Sequence, residues 1–443
     1  MSERLDDCWA ELVRRDPRAP ALLDGASGRG WTRAELAAGA EAWRGALPPT
    51  VGAALARRRV AIVAPNGAGW LHVFLGLLQH GAIPCALDGA EPAEAQRATA
   101  ADLGAAWLWR DGRLEPVLPG RQRERRGDLC LIKLTSGSTG RPRALMFTHA
   151  QMIADGRQVC ATMGIRPDDV NAAVIPFGHS YGLGNLVVPL LAQGTAIACV
   201  SSPLPQVLVA ESARVRATVF PAVPALLRAL VRSDLGADAL AGVRLVISAG
   251  APLPPETARA FAEKFGRRVH GFYGSSETGG IAYDRTGEAT LTGRSVGQPM
   301  EGVRLAFGRG HRFTVESAAV VGRGIHRPAD RAELNAEGEV VLLGRTGRLV
   351  KIAGRRVDLA EIEATLRATP GVRDAYAMPH PARSDALAAA VVSELSPLEL
   401  RARLSGRVAA WKIPERLRVM PEFPLTPRGK PDTRRLKALL EEA

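Results

Sequence analysis

Through residue 266, short β-rich runs alternate with stretches whose apolar residues recur at helical spacing. RRVAIVAP (58–65) reads as a strand, GWLHVFLGLLQHG (69–81) as a helix and AIPCAL (82–87) as a second strand. The rhythm returns in VNAAVIPF (170–177), LGNLVVPLLAQG (183–194) and TAIACVSS (195–202). It returns again in ATVFPAV (217–223), PALLRALVRS (224–233), VRLVISAG (243–250) and ETARAFAEKFG (256–266). Strands separated by helices of about ten residues predict parallel βαβ units and an α/β domain.

Near Arg345 the pattern changes. GEVVLLGRTGRLVKIAGRRVDLAEIEATLRATPGV predicts a two-stranded ribbon, a glycine-rich link and an amphipathic helix. DAYAMPH and ALAAAVVSE follow as strands, LELRARLSGRVAAW as a helix, and then a basic tail. The expected organisation is a large domain over residues 1–342 and a small α+β domain over 343–443.

Composition narrows the class. Of 443 residues, 46% are hydrophobic and 23% charged, ordinary for a globular chain. No apolar run reaches the roughly 18 residues that span a bilayer, and MSERLDDCWAELVRRDP lacks the apolar core of a signal peptide. The five cysteines are dispersed without a CxxC pair, and no HExxH occurs among the eight histidines. A cytoplasmic protein without a disulfide framework or zinc site is expected. Net charge is +13, yet only six of the 58 basic residues are lysines: Lys133, Lys264, Lys351, Lys412, Lys430 and Lys437. Where such an arginine-rich chain writes lysine, the position can require an ammonium. Residues 343–443 carry 19 bases and 12 acids. The bases are scattered with few aromatics among them, which speaks against nucleic acid. They suit a phosphate-bearing small molecule, an acidic partner protein or a solvated face.

The densest chemistry lies in LIKLTSGSTGRPRALMFTHAQM (131–152). A strand-like segment runs into Thr135, Ser136, Gly137, Ser138, Thr139 and Gly140, followed by Arg141 and Arg143. Glycines bring backbone N–H groups close to an anion, hydroxyls donate to its oxygens, and arginines add charge. The Walker pattern GxxxxGK[ST] is absent. This loop resembles the signature of the adenylate-forming superfamily, which comprises acyl- and aryl-CoA synthetases, nonribosomal peptide adenylation domains and luciferases. PFGHSYGLG (176–184), SAGAPL (248–253), HGFYGSSETGG (270–280), ADRAELNAEGEVVLLGRTGRLVKIAGRRVDLAEIE (329–363) and PLTPRGKPDTRRL (424–436) resemble its further segments, in the expected order.

The resemblance implies ATP and Mg2+, a small carboxylic acid, and CoA or the phosphopantetheine of an acyl carrier protein as acceptor. It implies that Thr135, Ser136, Ser138 and Thr139 hold the outer phosphates and that Glu277 ligates magnesium. Ser276, where the family usually has threonine, would reach the α-phosphate. Tyr273 and Gly274 would face adenine, with Gly250, Ala251 and Pro252 on its other side. Asp330 and Arg345 would bind the ribose, and Lys430 would bridge the attacking carboxylate and the α-phosphate on a small domain that rotates between steps. Phe177, His179, Tyr181 and Gly182 would lie near the acid, His179 as a positioning or gating group. The spacing of PFGHSYGLG and YGSSETGGIAY is similar to that of the short ligases of aryl-polyene pigment pathways, which favours an aromatic acid. Arg143 stands where the family commonly has lysine, Gly347 where many members carry the rotation pivot, and Pro328-Ala329-Asp330 where TGD is usual. These departures motivate a rival reading, a family member that binds nucleotide or acyl ligand without turnover.

Overall fold

The alternation of strand and helix builds two sheets in the larger part of the chain. The computed structural model describes residues 3–442 apart from 88, 90, 119–123, 125, 126, 136–142, 346–348, 353, 354, 384, 385, 406, 407, 409, 427 and 428. Two compact units emerge, residues 1–305 with 314–326, and residues 306–313 with 327–443. The smaller unit takes in the ribbon of Asp330–Leu334 with Val340–Arg345, so the 342/343 division drawn from sequence falls inside that ribbon's second strand.

In the larger unit, strands Val269–Ser275, Leu245–Ser248, Val219–Ala222, Val170–Ala173, Ala196–Cys199 and Pro20–Asp24 lie side by side and parallel within a nine-stranded sheet. Antiparallel strands close both edges, Gly279–Tyr283 with Gln298–Pro299 at one and Gly30–Thr32 at the other. Helices Pro224–Arg232 and Pro255–Phe265 each begin at a proline, whose missing N–H costs nothing in a first turn. Their apolar faces bury Leu227, Leu230, Phe261 and Phe265 against Phe220, Val246 and Val269. The second sheet has six strands and is parallel at its centre. Leu129–Thr135 and Arg143–Thr148 form an antiparallel pair at one edge, and Arg59–Val63 and Ile83–Ala86 lie inside. Parallel strands covered on both faces require apolar runs, which is why Arg59–Val63, Ile83–Ala86, Ala196–Cys199, Val219–Ala222 and Leu245–Ser248 were legible as strands.

The smaller unit centres on strand Leu387–Ser393, buried along its whole length. Ala389 and Val391 pack against Leu366 and Leu400 on one side, while Ala388, Ala390 and Val392 meet Phe423, Leu436 and Leu440 on the other. Three expectations need correction. LELRARLSGRVAAW is helical only over Pro397–Leu404; Ser405 turns extended, with a glycine next in sequence, and a single 3-10 turn follows at Ala410–Lys412. The basic tail is a helix, Thr433–Glu441, whose first N–H groups are capped by Asp432. A second ribbon, Leu349–Ile352 with Arg355–Asp358, precedes helix Leu359–Arg367 where one ribbon was expected.

Candidate active site

Three of the segments singled out from sequence leave the same end of the large sheet. Strand Val170–Ala173 leads to Phe177–Gly182, Leu245–Ser248 leads to Gly250–Pro252, and Val269–Ser275 carries Tyr273 and Gly274. Their order in the sheet is set by the register of Val219 with Asn171, Ala222 with Ser248, and Ser248 with Gly271. In open α/β sheets, the carboxyl ends of parallel strands are where ligands bind.

On the acid side, the chain is pinned before any side chain acts. The Phe177 N–H donates to Asn66 Oδ1 at 2.7 Å, and the fully buried Phe177 ring stands edge-on to Trp70, centroids 5.3 Å apart. His179 caps the helix that starts at Ser180, its Nδ1 accepting the Tyr181 N–H at 3.2 Å, which leaves the proton of the neutral ring on Nε2. Tyr181 is buried, its hydroxyl donates to the Ile247 carbonyl at 3.3 Å, and its ring lies 6.0 Å from that of Phe272. Burial pushes the Tyr181 phenol well above its ordinary range, so it remains a donor. At Gly182 a Cβ would overlap the Pro176 carbonyl oxygen, so the turn closes only with glycine there. The helix continues through a π-helical turn, Leu183–Val187, a form that recurs at functional sites.

The nucleotide side is an antiparallel hairpin. Tyr273 faces Ala282 across it, and the strand bulges between Tyr273 and Gly274. A Cβ at Gly274 would overlap the Gly279 carbonyl oxygen, so this close approach also demands glycine. Ser276, Glu277 and Thr278 form the connecting turn. Ser275 Oγ lies 3.0 Å from Thr278 Oγ1, and the Glu277 carbonyl accepts the Val321 N–H at 2.9 Å, which ties the turn down from within and from outside. Ser276 Oγ lies 2.8 Å from Ser180 Oγ. One hydroxyl pair thus joins the segment expected to meet the acid to the turn expected to meet the phosphates. Sequence reading assigned Ser276 a role and passed over Ser180, whose only signal was a hydroxyl at the helix start.

Glu277 is half-buried on that tethered turn. No three His, Cys, Asp or Glu side chains among the described residues group to hold a metal ion by themselves. A magnesium ion held by Glu277 would draw its other oxygens from phosphate and water, the usual way this cation is bound. The donor set fits.

The expected phosphate loop is described at its ends. Thr135, half-buried, stands opposite the exposed Arg143 in the antiparallel pair. Ser136, Gly137, Ser138, Thr139 and Gly140 lie outside the described residues, as does Gly347. Of the adenine-side residues, Ala251 is half-buried, Pro252 is exposed, and Gly250 takes φ +88° against Val223. In the smaller unit, Asp330 and Arg345 stand directly opposite each other in the ribbon register. Lys430 is exposed on a loop whose ends pair as Leu425 with Pro431. Its N–H donates to Thr426 Oγ1 at 3.3 Å, and its carbonyl accepts the Thr426 N–H at 2.7 Å.

Comparison with known proteins adds a family to this geometry. The model of the AMP-binding enzymes matches residues 108–307, and the model of the AMP-binding enzyme C-terminal domain matches residues 361–430. A 2-hydroxy-7-methoxy-5-methyl-1-naphthoate–CoA ligase of Streptomyces carzinostaticus is 28% identical over 358 residues, 72% of this chain and 63% of that protein. An L-proline–[L-prolyl-carrier protein] ligase of Streptomyces coelicolor is 28% identical over 70% of this chain and 66% of its own. The chain thus spans just under two thirds of the length of these curated relatives. Among solved structures, ATP-bound MatB from Rhodopseudomonas palustris superposes with a TM-score of 0.84 at 22% identity, covering 99% of each chain. The AMP complex of O-succinylbenzoate coenzyme A synthetase from Bacillus subtilis gives 0.81 at 20% identity, covering 97% of this chain and 98% of that one. No helix among the described residues is long and apolar enough to cross a membrane. With both family models matched in order, the chain belongs to the AMP-binding enzymes of the adenylate-forming superfamily.

Proposed function

We propose that this protein activates a carboxylic acid with ATP, releasing pyrophosphate and forming an acyl- or aryl-adenylate, and then passes the acyl group to the phosphopantetheine thiol of CoA or a carrier protein. The Ser180–Ser276 hydroxyl pair carries this reading, because it couples the acid-side helix to the turn of Glu277. Joining two anions is chiefly a matter of charge and alignment. Glu277 would hold the magnesium that neutralises the phosphates, the hydroxyl loop from Thr135 would cradle them, and Tyr273 with Gly250–Pro252 would clasp the adenine. Asp330 and Arg345 would take the ribose, and Lys430 the charge that builds at the α-phosphorus. His179 caps its own helix and would position the acid, which is already ionised and needs no base.

Acid-dependent ATP–pyrophosphate exchange over benzoates, cinnamates and fatty acids of graded length tests the reading, and aromatic acids are expected to support it best. Absence of exchange with every acid would favour a nucleotide-binding member without turnover. The basic excess of residues 343–443 supports a phosphate-bearing or acidic acceptor. Raised salt should therefore slow thioester formation more than adenylation, since exposed charges are screened beyond about 8 Å at physiological salt.

A further inference from the structure

A buried ion pair stands behind this site. Lys133 Nζ lies 3.2 Å from Asp155 Oδ2, with the two side chains 3% and 5% exposed. The ammonium also sits 4.5 Å over the Phe147 ring. Lys133 precedes Thr135 by two positions on strand Leu129–Thr135, so the two residues share a face. Leu145 stands opposite Lys133 and Arg143 opposite Thr135. The pair grips the strand just where it enters the phosphate loop.

Asp155 reaches two further segments. Its Oδ1 lies against the backbone of Gly279, two residues beyond Glu277, where any Cβ would overlap it. Its Oδ2 lies 3.4 Å from the place a Cβ would take at Gly184, in the π-helical turn two residues beyond Gly182. The helix that carries it, His149–Met163, is started by a capping box of Thr148 with Gln151. One carboxylate therefore pairs with the phosphate-loop stem, lies against the backbone just past the Glu277 turn and comes near the π-helical turn of the acid-side helix.

Stability alone does not account for the pair. Two charges have been taken out of water, and an apolar pair of similar volume is often as stable or more so. Position 133 is also one of only six lysines in an arginine-rich chain. A compact ammonium fits between a ring and a single carboxylate oxygen, whereas a planar fork asks for two acceptors. Resting on the adenylation reading, we propose that Lys133 and Asp155 are positioning residues that lock these three segments into one register, so that phosphates, metal and carboxylate meet in line.

The decisive variant is Lys133→Met combined with Asp155→Leu, beside Lys133→Met alone. The single change leaves a buried carboxylate unpaired and should lower the Tm, and the double should return it to within about 3 °C of wild type. In that stable double, kcat/KM for pyrophosphate exchange should fall by about 10- to 100-fold. The KM for MgATP should rise, and amides of residues 129–135 and 275–281 should exchange faster. A stable double with wild-type kinetics and amide protection would overturn the proposal. If the double does not fold, Asp155→Asn carries the test, since it keeps the shape and an acceptor for Lys133. Its KM for MgATP should rise about tenfold, and an unchanged KM overturns the proposal. Wild-type protein inactive with every acid would refute the adenylation reading, while amide exchange would still decide whether the pair ties the segments together.

Discussion

The candidate residues of the larger unit and those of the smaller unit are held by different means. In the larger, position is set by packing: Gly182 and Gly274 leave no room for a methyl group, Asn66 and Val321 anchor backbone on either side, and Ser180 meets Ser276. In the smaller, Lys430 stands exposed on a short loop closed by local backbone bonds, Thr426 with Lys430 and Gly429 and Asp432 with Pro424. Groups that must cradle a multiply charged nucleotide in fixed geometry gain from a rigid sheet end. A cation needed in one half-reaction alone gains from a turn that costs little to reposition.

Removing the Lys430 cation should have the largest effect. Lys430→Ala is expected to slow acid-dependent pyrophosphate release on the order of 100- to 1000-fold, while transfer from preformed acyl-adenylate to the thiol stays near the wild-type rate. Lys430→Arg should rescue little, because a planar fork does not reproduce a point charge between two close oxygens. Equal loss in both half-reactions would place Lys430 among the fixed scaffold and erase the contrast.

Stability sharpens the same contrast. Gly182→Ala drives a methyl group into backbone atoms of Pro176 and should destabilise the larger unit by about 1–3 kcal/mol. Gly429→Ala, beside Lys430, meets nothing within 4 Å and has only the left-handed backbone at φ +70° to overcome. It should cost about 1 kcal/mol and leave the melting of the larger unit unchanged. Calorimetry that resolves the two units checks both, and equal losses would mean that the loop is as tightly packed as the sheet end.

The parts legible in the sequence follow this division. Strands covered on both faces must be apolar along their length, so Arg59–Val63, Leu245–Ser248 and Leu387–Ser393 stood out, as did helices such as Pro224–Arg232. The first strand of the chain, Pro20–Asp24, did not, because a proline and an aspartate bound it, and its pairing with Ala196–Cys199 and Gly30–Thr32 explains it. Helix Thr433–Glu441 was hidden by its charges, since only Leu436 and Leu440 turn inward. The turn of Glu277 was found through its motif, but its hydroxyl link to Ser180 joins residues 96 positions apart. Asp155 was likewise invisible. Nothing local marks a carboxylate whose partners are a lysine 22 residues away and the backbone of Gly279.

Cutting that hydroxyl link should have a modest effect. A single neutral hydrogen bond contributes about 1 kcal/mol net, so Ser276→Ala should lower kcat/KM for the acid by about fivefold if Ser180 and Ser276 only hold each other. A loss beyond 100-fold, with an unchanged Tm, would make Ser276 a direct phosphate ligand. Ser180→Ala separates the two cases, because it removes the link and spares the Ser276 hydroxyl.

The smallest expected effect concerns how the larger unit keeps its first helix. His149 is buried, and its Nδ1 accepts the Leu5 N–H at 3.0 Å, with Asp6 Oδ1 3.8 Å away. Burial, aided by Arg4, pushes this imidazole down to about 4 from an ordinary value of 6.5, although Asp6 pulls the other way. An unfolded histidine takes up its proton first as pH falls, so between pH 6.5 and 4 the unfolded chain holds more protons and acid favours unfolding. The contribution is fully present above 6.5 and is lost progressively below it. Urea unfolding at pH 7 and pH 5 should therefore show a loss on the order of 1 kcal/mol attributable to His149. His149→Asn keeps an acceptor near the Leu5 N–H but does not titrate, so it should flatten that slope while costing some packing at pH 7. An unchanged slope would mean that the helix Leu5–Arg15 releases before the ring is protonated. In that case the N-terminal part of the larger unit would behave like the Lys430 loop, held by local turns and not by the helices it packs against.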